Sequence, residues 1–313
     1  MARSSYINRG KKGLNRTLVA LLVWIIAGMA VGGIHVLLGQ VRQPLSEHVI
    51  VDWTDFQLTA QGGARYPEQA AALTRGVVAV EAARMQAFRY LWEGLQQLIF
   101  DADDRLVERF ARDAALQQTC YRLARGFTIT DVQFRQGDSV TVEIALPLTG
   151  MILKALLPPW QQELRWLETL GNCPICQTPW PTVVPPSDST GHRSASAYSS
   201  IILLPGELSF SPALNARVLD EYGQEVYGHA YLDPEYRGDI PTLRYLSLSD
   251  RQRINELAGK QPLLIHVQTI SGRLKTDLVV SHADAMRMHN SGAEHELLRR
   301  GRVYVLSKRN FEP

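Results

Sequence analysis

LTRGVVAVEAARMQAFRYLWEGLQQL, residues 73–98, carries apolar side chains at Leu73, Val77, Val80, Ala83, Ala87, Leu91, Leu95 and Leu98, stepping by three or four. That spacing predicts one long amphipathic helix with a single apolar face. Arg75, Glu81, Arg84 and Gln86 fall elsewhere on the wheel, and Pro67-Glu68 stands where such a helix begins. A helix faced this way is expected to lie on a sheet rather than to bind a cofactor.

The flanking residues supply the sheet. Upstream, Val49 to Leu58 reads as a strand, ended by Ala60-Gln61-Gly62-Gly63-Ala64. Downstream, Asp101 to Arg125 reads as further helix. Asp101, Asp103 and Asp104 sit at its start, where the helix dipole favours acids, and Gly126 is placed to end it. Phe127–Phe134 and Val140–Leu146 then flank Gln136-Gly137-Asp138-Ser139, a hairpin signal. Val140, Val142, Ile144 and Leu146 alternate, so the second strand buries one face and wets the other. Strand, long helix and hairpin make an α+β domain over 45–150.

Further out on the N-terminal side lies LVALLVWIIAGMAVGGIHVLL, residues 18–38, without a formal charge. Its length suits a helix crossing ~30 Å of hydrocarbon. Arg3, Arg9, Lys11, Lys12 and Arg16 precede it and no acid occurs before Glu47, which predicts a cytoplasmic N-terminus and an exported remainder. The expected layout is a basic tail at 1–16 facing inner-membrane lipid and a transmembrane signal anchor at 17–39. Gly28 and Gly32 form a GxxxG pair suited to helix–helix contact. The alternative is a cleaved signal peptide, with Gly28-Met29-Ala30 near the processing point and the mature chain released to the periplasm.

On the C-terminal side, a short amphipathic helix around Leu153–Leu170, Cys173-Pro-Ile-Cys176, prolines at 179, 181, 185 and 186, and a polar stretch to Ser196 make 151–197 a connecting segment. A second folded segment, 198–308, is β-rich. Strands are expected at Ser200–Leu204, Leu214–Leu219, Leu263–Ile270, Asp277–Ser281 and Arg302–Leu306, with short helices at Asp250–Leu257 and Ala283–His289. The fold class expected overall is α+β: one membrane helix, a small α+β domain, and a second, β-rich α+β domain.

Charge and motifs narrow the chemistry. After Arg42, 27 of the 33 Lys and Arg remain against all 31 acids, a net of about −4, so no basic stripe exists there for nucleic acid. Phosphate-binding glycine loops, nucleophile elbows and dinucleotide fingerprints are absent, and neither catalytic residues nor a cofactor are expected. Cys173 and Cys176 are the sharpest local motif. Outside the cytoplasm they are expected to form a disulfide, with each other or with Cys120. Two further readings stay open: a zinc site completed by Cys120 and His192, and a redox pair, for which a helix-start setting is missing. The eight histidines show no metal-ligand spacing and are expected at the surface or as caps.

Gly62-Gly-Ala-Arg-Tyr-Pro67, Glu81-Ala-Ala-Arg84, Ala87-Phe-Arg-Tyr-Leu91 and Thr141–Gly150 together resemble the FlgP-like family of bacterial envelope lipoproteins. Phe210–Leu214, Ala216–Gly228, Asp277–Ser281 with Asp284-Ala285, and Leu297–Leu306 are similar to the tail of its longer members. The resemblance implies small periplasm-facing α+β modules, some of which build rings around the flagellar motor, and it carries no catalytic residue. It departs from that pattern in having an anchor helix in place of a lipidated cysteine and in its Cys173–Cys176 insertion. The function expected is that of a non-catalytic structural or assembly component of an envelope machine, self-associating and partnered by other envelope proteins. The alternatives are a membrane-tethered thiol–disulfide protein and a cell-wall-binding module.

Overall fold

A computed structural model describes residues 40–67, 74–135, 138–158, 171–179, 198–308 and 311. The expected anchor, with Gly28 and Gly32, lies outside them, as do Leu73 and His192. Among the described residues no helix is long and apolar enough to cross a membrane.

The first sheet is antiparallel, five-stranded and ordered β1-β2-β3-β5-β4. Its strands are β1 (Arg42–Ser46), β2 (Val49–Asp52), β3 (Gln57–Arg65), β4 (Thr128–Arg135) and β5 (Ser139–Pro147). The single strand expected at 49–58 is instead two strands of a hairpin. The Asp52 carboxylate accepts the backbone N–H groups of Thr54 and Asp55, and Phe56 takes a left-handed φ of 50°, so the chain reverses. Nor do the glycines at 62 and 63 end β3; they lie within it.

Gly62 is explained by the long helix, α1 (Arg75–Gln97), which lies across β3 and β5. A Cβ on Gly62 would come within 2.3 Å of both the Ala83 carbonyl oxygen and the Ala87 nitrogen. The helix thus rests on the sheet backbone to backbone. The buried rail is Ala79, Ala83, Ala87, Phe88, Leu91, Gly94 and Leu95. This differs from the expected face at the N-terminal end, where Val77 is 72 % exposed and Ala79 is buried. Close approach selects small side chains over larger apolar ones at that crossing. β5 buries Val140, Val142, Ile144 and Leu146, as its alternation requires.

The helix expected over 101–125 is two. α2 (Leu106–Arg112) and α3 (Ala114–Ala124) are separated at Asp113, whose carboxylate caps α3 by accepting from Leu116 N–H. α4 (Met151–Leu156) follows β5.

Residues 200–307 build two further four-stranded sheets. The first, β10-β6-β13-β9, is wholly parallel. It comprises β6 (Ser200–Leu204), β9 (Arg244–Ser247), β10 (Pro262–His266) and β13 (Val303–Ser307). Runs such as Ser200-Ile-Ile-Leu-Leu204 are apolar on both faces because a parallel sheet is covered on both. α5 (Arg251–Ala258) covers one face, its Ala258 joining Ile202, Leu246 and Tyr304. The other sheet, β11-β12-β7-β8, contains β7 (Val218–Asp220), β8 (Glu225–Tyr227), β11 (Thr269–Ser271) and β12 (Asp277–Val280). α6 (His282–His289) and α7 (Glu296–Arg299) complete the segment.

One apolar core runs through residues 41 to 305. Thr54 Oγ1 donates to the Tyr245 carbonyl at 2.9 Å, and Tyr245 packs against Trp53 and Phe56. The backbone N–H groups of Leu214 and Asn215 bond to the carbonyls of Ile99 and Phe100. The first sheet and the C-terminal sheets therefore share both apolar and backbone contacts, and Leu38–Pro313 forms one compact unit.

Candidate metal centre

Cys173-Pro-Ile-Cys176 folds into a tight knuckle. Residues 174–176 turn, Cys173 N–H donates to the Thr178 carbonyl (2.7 Å), and Gln177 N–H donates back to the Cys173 carbonyl (3.0 Å). Pro174 presets the turn, and Gln177 leaves it at a φ of 61°. The backbone N–H groups of Ile175 and Cys176 oppose the rise that burial imposes on the Cys173 thiol pKa. Cys173 and Ile175 are sunk into the core, while Cys176 is half-buried.

Two histidines meet this knuckle from the C-terminal segment. His289 is the last residue of α6, a helix capped at its start by the Ser281 hydroxyl. Its Nε2 donates to the Val226 carbonyl at 2.7 Å, because a carbonyl can only accept. The lone pair therefore resides on Nδ1, which lies 3.0 Å from the Cys173 sulfur. His295 sits between a short 3-10 turn (Ala293–His295) and α7 in the left-handed region, φ 58°. Its Nδ1 donates to the His289 carbonyl at 3.0 Å. Its Nε2 is left facing the Cys176 sulfur at 4.0 Å and the Thr178 hydroxyl at 3.1 Å.

The four donor atoms of Cys173, Cys176, His289 and His295 all lie within 4.8 Å of one another. Two thiols and two imidazoles are the donor set that suits zinc. Burial pushes the Cys173 thiol up to about 11 and the His289 imidazole down to about 4, and His295 is lowered for the same reason. Each of these three groups is thus held neutral by desolvation. A raised thiol pKa is the opposite of what a nucleophilic redox cysteine requires.

All three cysteines are free thiols. Cys120 lies apart from this cluster, buried on α3 beside Arg109, where burial pushes its thiol up to about 11. The structure brings Cys173 and Cys176 together with His289 and His295 rather than with Cys120. The surface or capping role expected for the histidines fails for His229, His289 and His295, which are 5 %, 1 % and 4 % exposed. The two imidazoles were missed because they stand 116 to 119 positions from their cysteines, at a helix end and in a turn, with no local pattern to announce them. The only signal in the chain was a CPxC knuckle in want of a second pair of donors.

A separate groove of about 620 Å³ lies between α2, the residues just before β7 and the start of β8, lined by Phe100, Arg109, Asn215, Arg217, Glu225 and His229 among others. Arg109 stacks its guanidinium 3.9 Å from the Phe100 ring centre.

Residues 200–309 match the family model described as the second domain of Treponema pallidum Tp0624. The match takes in both C-terminal sheets and the two histidines of the cluster; the two cysteines precede it. Residues 200–309, about a third of the chain, are thus similar to a domain of a spirochaete protein. No curated protein matches the chain.

Proposed function

We propose that this chain is a non-catalytic structural or assembly component of a bacterial envelope machine. Residues 18–38 would anchor it in the inner membrane with the N-terminus cytoplasmic and the remainder periplasmic. The basic flank and the uncharged apolar run support that placement. The FlgP-like residues of the first α+β segment support a machine of the flagellar-motor type, and the likeness of 200–309 to a treponemal domain fits a bacterial source.

The observation that carries the assembly role is the edge of the first sheet. β4 ends the strand order and, among the described residues, pairs with β5 alone. Seven of its eight residues are exposed, including Ile129 (48 %) and Phe134 (63 %). An eight-residue edge offers a row of free N–H and C=O groups for another strand. A bulge between Ile129 and Asp131 and the charges of Asp131 and Arg135 restrict which strand can add, favouring a specific partner over indiscriminate aggregation.

The test is in-cell photocrosslinking from positions 129 and 134, followed by mass spectrometry. Self-crosslinks or crosslinks to an envelope machine subunit, with those from position 129 lost in Phe134→Lys at unchanged circular dichroism, are the expected result. A monomeric full-length chain that crosslinks to no envelope protein would end this reading; capture of glycan alone would replace it with cell-wall binding.

A further inference from the structure

We propose that Cys173, Cys176, His289 and His295 bind one zinc ion in a closed structural site that staples the knuckle to the C-terminal segment. The inference is independent of what the β4 edge recruits.

The fit is geometric. Zinc at ~2.3 Å from sulfur and ~2.0–2.1 Å from nitrogen requires donor–donor edges of roughly 3.3 to 3.8 Å. The two sulfur–nitrogen distances, 3.0 and 4.0 Å, bracket that range, and the longest separation is below 4.8 Å. Shifts of about an ångström or less convert this cluster into a tetrahedron. A two-iron cluster would place its sulfur pair and its imidazole pair on different irons, which calls for a wider set.

The surroundings are arranged for ligation rather than for a chance polar contact. Each imidazole is fixed in one tautomer by donating its other nitrogen to a backbone carbonyl: His289 Nε2 to Val226, and His295 Nδ1 to His289. Metal-bound histidines are oriented in this way, and the nitrogen left with its lone pair is in each case the one aimed at sulfur. Thr178 Oγ1, 3.0 Å from the Cys176 sulfur, can turn its proton to that sulfur once Nε2 of His295 is occupied. His295 also holds a left-handed conformation that residues other than glycine seldom adopt, which is a strain tolerated where ring placement matters.

Charge agrees. On binding, both thiol protons leave, and two thiolates with Zn²⁺ make a neutral centre that burial does not penalise as it would a lone charge. All four positions are filled by protein, leaving no site for a reacting water, so the ion is structural rather than catalytic. It joins residues on both sides of long sequence separations, where closing the loop removes the most freedom from the unfolded chain.

The full-length chain, purified reduced and without chelator, is expected to carry one zinc per chain by plasma mass spectrometry. Replacing the zinc with Co²⁺ should give the sulfur-to-cobalt charge-transfer and visible bands of a tetrahedral thiolate–imidazole site. Cys176→Ser and His295→Gln should lose at least nine-tenths of the metal, while Cys120→Ser keeps it. Cobalt binding by the unmodified chain tests the site even if a variant fails to fold. Four results would overturn the proposal: no zinc or cobalt uptake by reduced, folded chain; metal retained in both ligand variants; an iron chromophore; or a Cys173–Cys176 disulfide in material isolated anaerobically.

Discussion

Replacing Gly62 with alanine tests the way the long helix is seated. The new Cβ would lie 2.3 Å from the Ala83 carbonyl oxygen, 2.3 Å from the Ala87 nitrogen and 2.9 Å from the Ala87 Cα. All three are backbone atoms, so no side chain can rotate away. Restoring ordinary contact at roughly 3.4 Å requires α1 and β3 to part by about 1 Å, which loosens Leu91 and Leu95 beneath the helix as well. Overpacking of this kind costs about 1–3 kcal/mol, and rigid backbone on both sides puts this case at or above ~3 kcal/mol. In a chain of this size that is a fall in Tm of roughly 5 °C. Gly63 is the internal control: it faces solvent one position along, and its Cβ would meet nothing closer than 3.7 Å. Gly63→Ala should stay within ~0.5 kcal/mol of the parent. Thermal and urea unfolding followed by far-ultraviolet circular dichroism reads both. Equal stability of the two variants would refute the backbone-to-backbone seating of α1.

Gly94→Ala brings a Cβ to 2.6 Å from Val49 Cγ1, a side chain rather than backbone. A loss of about 1–2 kcal/mol is expected, largely recovered in the double variant with Val49→Ala, and urea unfolding of the four-member cycle measures the coupling. Asp277 is 1 % exposed, and its carboxylate pairs with Arg217 at 2.6 Å. Burial raises its pKa while Arg217 opposes the rise. Arg217→Met strands that carboxylate and should cost about 3 kcal/mol at neutral pH; Asp277→Asn alongside it should restore part of the loss. For His229, burial, with a smaller contribution from Arg237, lowers the pKa to about 4. The unfolded chain therefore binds the proton more readily. Stability from this group is complete above the ordinary value of ~6.5 and is lost as pH falls toward 4, by about 3 kcal/mol at that end. His229→Gln should flatten that part of the stability–pH curve, and an unchanged slope in denaturant titrations from pH 7.5 to 4 would contradict it.

Elements whose signal is local were legible in the chain. The 23-residue helix declares itself by a three-to-four spacing, and β5 by strict alternation. The hairpin lies where its polar turn predicts. Errors arose where one side chain overrides a run of propensities. Asp52 turns an apparent strand into a hairpin, and Asp113 caps a new helix in the middle of an expected one. The buried face of α1 departs from the apolar pattern at Val77 because apolar character does not report how closely two backbones approach, whereas alanine at 79, 83 and 87 against Gly62 does.

The candidate site divides along the same line. Sequence alone singled out Cys173 and Cys176 as a motif and left open whether they join each other, Cys120 or a metal; the folded turn is what brings the two thiols together. Sequence also determined that a long helix needs a sheet beneath it, and that residues 18–38 are an uncharged apolar run. Only the tertiary structure decided which groups complete the pair. His289 and His295 reach the cysteines because α6 ends beside β8, so that the Val226 carbonyl can orient one ring and the His289 carbonyl the other. Such closure over more than a hundred residues is set by how the sheets pack, a long-range outcome for which neighbouring residues hold no signal.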